Sequence, residues 1–227
     1  MGEVIRVAYQ GAPGAFSEDA AVSYFATPGT VCLPQREFMA VRHAVLAGVA
    51  TFGVLPIENS IHGPVTASLA AFAMGGLEVI GRIACPIRLC LLAAPAAQPE
   101  QLRRVLSHPV ALGQCRRFLA AMPLLEAVPF YDTAGAAEEV AARGDTTSAA
   151  VASQRAAAHY ELDIIARNIE DRADNHTRFM IVARAVSSAD RDRAQRARAA
   201  GAAIATSRHH AAGTGGARVQ SVRERGS

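Results

Sequence analysis

Apolar runs at 4–9, 30–33, 51–57, 77–83, 87–93, 105–106 and 148–152, with shorter ones at 128–131 and 164–166, read as buried strands. Between them lie stretches that predict helices near 18–25, 37–47, 65–73, 111–121, 134–143 and 154–160, with a short helix beginning at 100–104. Gly48 ends the second of these helices, and Pro86 separates the runs at 77–83 and 87–93. Strands alternating with helices predict an α/β fold with a mostly parallel sheet. In such sheets ligands sit beyond the carboxyl ends of the strands, where helix N-termini point.

One arrangement recurs: a strand, then a hydroxyl or amide, then a helix start. It occurs at 10–17, where Ser17 is placed to cap the first helix. It occurs again at Asn59-Ser60, Ser107-His108, Thr133 and Ser153. Each of these residues can cap its helix, and together they can also line a cleft for an anionic ligand. The loop at 10–15 has only two glycines, too few for a dinucleotide fingerprint.

The last strand is entered through Asn175-His176-Thr177-Arg178-Phe179 and continues as Met180-Ile181-Val182-Ala183. A guanidinium grips a carboxylate through two parallel hydrogen bonds, and a neighbouring hydroxyl can donate to a departing oxygen. The same residues would also serve as a strand-forming threonine and a surface-paired arginine.

Composition narrows the chemistry. All 23 basic residues are arginine, which removes lysine Schiff bases, lysine-anchored pyridoxal chemistry and the P-loop lysine. Residues 186–227 carry eight Arg against three acids, whereas 1–185 carry fifteen against seventeen, so the basic balance belongs to the tail. The near-neutral remainder predicts no nucleic-acid partner. The stretch from 185 to 227, rich in Arg and Ala, is expected to be disordered. Cys32, Cys85, Cys90 and Cys115 lack metal-ligand spacing and predict buried thiols and no metal site. No signal-like start and no apolar run of ~18 residues predict a cytoplasmic protein away from membranes.

Taken in order, Tyr9-Gln10-Gly11-Ala12-Pro13-Gly14-Ala15-Phe16-Ser17, Leu55-Pro56-Ile57-Glu58-Asn59-Ser60, Ser107-His108-Pro109, Asp132-Thr133-Ala134-Gly135-Ala136-Ala137 and Asn168-Ile169-Glu170-Asp171 lead to the Asn175–Phe179 stretch. Together they resemble the prephenate dehydratase family, which includes the arogenate dehydratases. The resemblance implies two α/β lobes around a cleft, similar to type II periplasmic binding proteins. The catalytic domain would span 4–184, with lobe one at about 4–81 plus 166–184 and lobe two at about 82–165. It implies decarboxylating dehydration of prephenate to phenylpyruvate in phenylalanine formation, or of arogenate, without a cofactor. A silent aromatic-acid-binding module is the remaining alternative. Thr177 takes the catalytic donor role by that resemblance, and Arg178 holds a carboxylate. Asn59, Ser60, Ser107, Thr133 and Phe179 complete the implied substrate-binding set. A small-molecule substrate and a homodimer are the implied partners. The tail lacks the apolar pattern of the regulatory ACT domain that many members carry. Leu89 and Val110 depart from residues common in the family, a His and a Gln, and His176 replaces a common Arg.

Overall fold

The computed structural model describes residues 4–185, 192–193 and 195–196. The expected disordered tail lies outside the described residues, apart from Ala185 and those four.

The first lobe runs β1 (Arg6–Gln10), α1 (Phe16–Phe25), β2 (Val31–Gln35), α2 (Phe38–Leu46), β3 (Phe52–Asn59), β4 (Gly63–Pro64), α3 (Thr66–Ala73) and β5 (Leu77–Pro86). The second runs β6 (Cys90–Ala93), a 3-10 turn (Pro99–Gln101), β7 (Arg104–Ser107), α4 (Pro109–Gly113), α5 (Arg116–Ala120), β8 (Glu126–Pro129), α6 (Thr133–Arg143), β9 (Ser148–Ala152), α7 (Gln154–His159) and β10 (Asp163–Ala166). The chain then returns to the first lobe as β11 (His176–Arg184).

The two sheets are ordered β2-β1-β3-β11-β5 and β10-β6-β9-β7-β8. β5 runs through Pro86, so the chain leaves the first lobe at 87–89 rather than near 82. β10 stays in the second sheet, so the return falls at 167–175.

The expectation of mostly parallel sheets needs correction. β1, β2 and β3 are parallel, as are β7, β8 and β9, but β11 is antiparallel to both β3 and β5, and β6 is antiparallel to β9 and β10. β6 and β11, the two strands reached directly from the other lobe, are the ones that run antiparallel to both of their neighbours.

Alternation along the strands divides the first lobe's core. Val7, Tyr9, Phe52, Phe179 and Ile181 pack on the α1 side, whereas Ala8, Leu55, Met180 and Val182 pack on the α2 side. The α1-side cluster continues into the second lobe through Ala134, Ala136 and Ala137 of α6 and Ala156 of α7. Small side chains allow this close approach. A Cβ placed on Gly14 would lie 2.5 Å from the Ala156 Cα, and Ser153 Oγ donates to the Gly14 carbonyl at 2.6 Å. Asp19 of α1 pairs with Arg155 of α7 at 2.5 Å across the same seam.

Two helix starts differ from expectation. Ala15 is the N-cap of α1, without a side-chain bond, and Ser17 lies one residue inside the helix. The loop is fixed instead by Glu18, whose carboxylate accepts from the Gly14 N–H at 2.6 Å. The helix expected over 111–121 is two, α4 and α5. The Asp171 carboxylate, from the returning segment, accepts from the Arg116 and Arg117 N–H groups at 3.1 and 3.0 Å. It caps α5 from a distance and starts a new helix there.

Candidate active site

Thr177 enters β11 directly opposite Asn59 at the end of β3. Its side chain is 8% exposed and lies on the cleft side with Phe179. Arg178 is the intervening residue, so it points to the opposite face of the sheet. There it pairs with Glu58, its cross-strand neighbour, at 2.5 Å, beside α3 residues Leu69 and Phe72. The expectation that Arg178 holds a carboxylate in the cleft is therefore corrected, for adjacent strand residues cannot both face one cavity. Arg178→Gln should lower stability by less than about 1 kcal/mol, the worth of an exposed ion pair, and leave kcat and KM unchanged. Thermal unfolding and steady-state kinetics check both.

Asn59 sets the polarity of the site. Its Oδ1 accepts from the Ile61 and His62 N–H groups at 3.0 and 3.1 Å, which only an oxygen can do. Its amide nitrogen therefore faces Thr177 Oγ1 at 3.0 Å and Asn175 Oδ1 at 2.9 Å. Because Thr177 accepts from Asn59, its own O–H remains available to donate elsewhere. Asn175, 1% exposed, donates to Gln114 Oε1 at 3.0 Å.

Asn59, Gln114 and Thr177 border a cavity of about 400 Å³ between the lobes. Its side-chain donors are Gln10, Ser17, Asn59, His108, Gln114, Tyr131, Thr133 and Thr177. Its apolar wall includes Phe16, Phe38, Ile87, Leu89 and Phe179. His108 Nδ1 accepts from the Val110 N–H at 3.2 Å, so neutral His108 carries its proton on Nε2. Asp132 Oδ1 caps α6 by accepting from the Gly135 N–H at 2.8 Å, which frees the Thr133 hydroxyl from that task. No Arg lies among the described lining residues, and Asp132 is the one acid there.

A second cavity of about 490 Å³ adjoins the first through Gln10, Tyr131 and Asp132. Arg36 reaches it from the first lobe and Glu138 from the second, and neither forms a hydrogen bond or ion pair among the described residues.

Of the expected site residues, the fold brings Asn59, Thr133, Thr177 and Phe179 to the cavity, but not Ser60, Ser107 or Arg178. Ser60 fastens the return segment, donating to the Asp174 carbonyl at 3.3 Å and accepting from the His176 N–H at 3.0 Å. Ser107 is wholly buried and donates to the Val151 carbonyl at 2.6 Å, tying β7 to β9. Its position next to His108 is what places the His at the cavity. Ser17 and His108, which belong to the recurring helix starts but not to the implied substrate-binding set, also line the cavity, and Gln114 was not expected there. Gln114 is the C-cap of α4, at the break before α5. Burial pushes the Cys115 thiol up to about 12 and the Cys85 thiol up to about 11, which leaves neither a ready nucleophile. No helix among the described residues is long and apolar enough to cross a membrane.

Residues 7–187 match the family described as prephenate dehydratase. An Arabidopsis thaliana protein, arogenate dehydratase/prephenate dehydratase 2, chloroplastic, is 44% identical over 184 residues, covering 81% of this chain and 47% of that protein. The structure of prephenate dehydratase from Arthrobacter aurescens in complex with L-Phe superposes with a TM-score of 0.73 at 31% identity, covering 81% of this chain and 61% of that one. GqqA, described as a novel type of quorum quenching acylase, superposes with a TM-score of 0.74 at 37% identity, covering 81% and 65%. The chain thus spans under half the length of the Arabidopsis relative.

Proposed function

Because the chain belongs to the prephenate dehydratase family, we propose that it catalyses the decarboxylating dehydration of prephenate, or of its amino counterpart arogenate, in the formation of phenylalanine. In this reaction the bond from the ring to its carboxylate breaks and its electron pair enters the ring. The bond to the ring hydroxyl then breaks, and the departing oxygen takes one proton and leaves as water. The products are carbon dioxide, water and phenylpyruvate or phenylalanine.

The observation that carries this reading is the Thr177 hydroxyl, polarised by Asn59 and bordering an apolar cavity without arginine. Thr177 donates to the departing oxygen. The Asn59 N–H on its Oγ1 stabilises negative charge developing there. The ring carboxylate must lose its charge, and surroundings that offer no cation favour that loss over retention. Leu89 and Val110, two of the departures from the family pattern, both line the cavity and make it more apolar. Ser17, Gln114 and Thr133 orient the ring.

The second carboxylate survives the reaction and needs a lasting partner. Arg36, without an ion-pair partner among the described residues, supplies it from the adjoining cavity. Arg36→Gln is expected to raise KM about 10- to 100-fold, the worth of one charged hydrogen bond, with kcat little changed. Asp132 and Glu138 near Arg36 favour arogenate, whose arm carries an amine as well as a carboxylate. Glu138→Gln should then weaken arogenate and spare prephenate. Purified protein incubated with each compound tests the reading: phenylpyruvate or phenylalanine should accumulate, and the absence of both rejects it. Residence in the cytoplasm and pairing of two copies belong to the same proposal. The long edge strand β5, unpaired on one side, supports the pairing.

A further inference from the structure

Asn59, Asn175 and Gln114 form a head-to-tail line of carboxamides across the two lobes. Its direction is set at one end by the Ile61 and His62 N–H groups, which hold Asn59 Oδ1. Asn59 must then present N–H to Asn175 Oδ1, and Asn175 must present N–H to Gln114 Oε1. Gln114 Oε1 is thereby turned to Asn175, which leaves the amide nitrogen as the end directed to the cavity that Gln114 lines. Asn175 is fixed in this task by its backbone, whose carbonyl accepts from the Ile87 N–H at 2.9 Å where the chain passes between lobes. Its side chain does not line the cavity.

We propose that Asn175 is a positioning residue that fixes which end of Gln114 faces the substrate and holds Asn59 on Thr177. The inference rests on the dehydratase reading for its kinetic consequence, but not for its structural one. An amide is needed because the residue must accept from one neighbour and donate to the other. A carboxylate can only accept. With a carboxylate at 175, Gln114 turns its N–H toward it and shows Oε1 to the cavity, so a donor becomes an acceptor. A protonated carboxyl again has one acceptor and one donor and restores the order.

Asn175→Asp therefore gives a test with a signature that packing alone does not produce. Burial raises the introduced carboxyl above its ordinary value of ~3.9. The ratio of variant to native kcat is expected to be about 10- to 100-fold down at pH 8 and to recover as the pH falls toward 5. The other ionisable groups there, His108 and Asp132 at the cavity and Asp174 and His176 beside Asn175, are common to both proteins, so the ratio reads the change at 175. Asp174 is already paired with Arg172, Asp171 with α5, and Glu170 with Arg88. A ratio independent of pH overturns the proposal. If the aspartate variant is unfolded at pH 8, Asn175→Ser carries the test. Its short hydroxyl cannot span both amides, so kcat should fall about 10-fold at every pH, and native kcat overturns the proposal. Should the native protein turn over neither substrate, the dehydratase reading fails separately. The side-chain amide NMR signals of Asn59 and Gln114 then decide: both should move with pH in Asn175→Asp, and unmoved signals overturn the proposal.

Discussion

Replacing Thr177 by valine should lower kcat by roughly 10²- to 10⁴-fold, the usual contribution of a positioned proton donor, while KM changes little. Valine keeps the β-branched shape that suits this strand position, so β11 should hold its register against β3 and β5. What is lost is one donor and one acceptor. The acceptor serves Asn59, whose amide nitrogen still has Asn175 Oδ1 and the His176 carbonyl. The cost of an orphaned buried group is thus largely avoided, and the thermal midpoint should stay within a few degrees. Thr177→Ser restores the hydroxyl and should restore most of the activity. Valine turnover near that of the native protein would remove the donor role; a large fall in thermal midpoint would assign the loss to folding.

The second large effect concerns Gly14, and Gly14→Ala is expected to destabilise the protein by about 3–5 kcal/mol. Two costs add. The backbone there has φ +90°, which side-chain-bearing residues rarely adopt, and the new methyl would meet the Cα, Cβ and N of Ala156 at 2.5, 2.8 and 2.9 Å. These are backbone and near-backbone atoms of α7, so relief requires the lobes to part. Parting them would also strain the bond from Ser153 Oγ to the Gly14 carbonyl. Ala15, Phe16 and Ser17 follow directly and line the cavity, so KM should rise as well. Gly29 provides the control. Its φ is +91°, but nothing lies within 4 Å of its added Cβ. Gly29→Ala should thus bear the backbone cost alone, about 1–3 kcal/mol. Equal losses in the two variants would show that the seam yields.

Much of the architecture was legible because it follows from local rules. The strand Ser148–Ala152 is as short and apolar as its sequence, and Ser153 caps α7 by accepting from the Ala156 N–H at 3.0 Å. The break between α4 and α5 was not legible. Nothing within 109–121 demands it; the cap comes from Asp171, some fifty residues on. The site divides along the same line. Thr177 opposite Asn59 follows from two strands ending at the same edge of one sheet. Arg178 illustrates a rule left unused: period-two alternation alone excludes Thr177 and Arg178 from the same face. Which of them turns to the cleft is settled by the neighbours, Glu58 and α3 drawing Arg178 to the other side.

The order of residues by itself determined the alternation of strands and helices, the family motifs and the hydroxyls and amides at strand ends. Those features depend on periodicity, propensity and nearest-neighbour turns, all of which act over a few residues. The tertiary structure alone decided which donors meet, in which direction each carboxamide points, and that Arg36 shares a cavity with Glu138. Those outcomes depend on groups distant in the chain competing for the same hydrogen bonds and the same buried space.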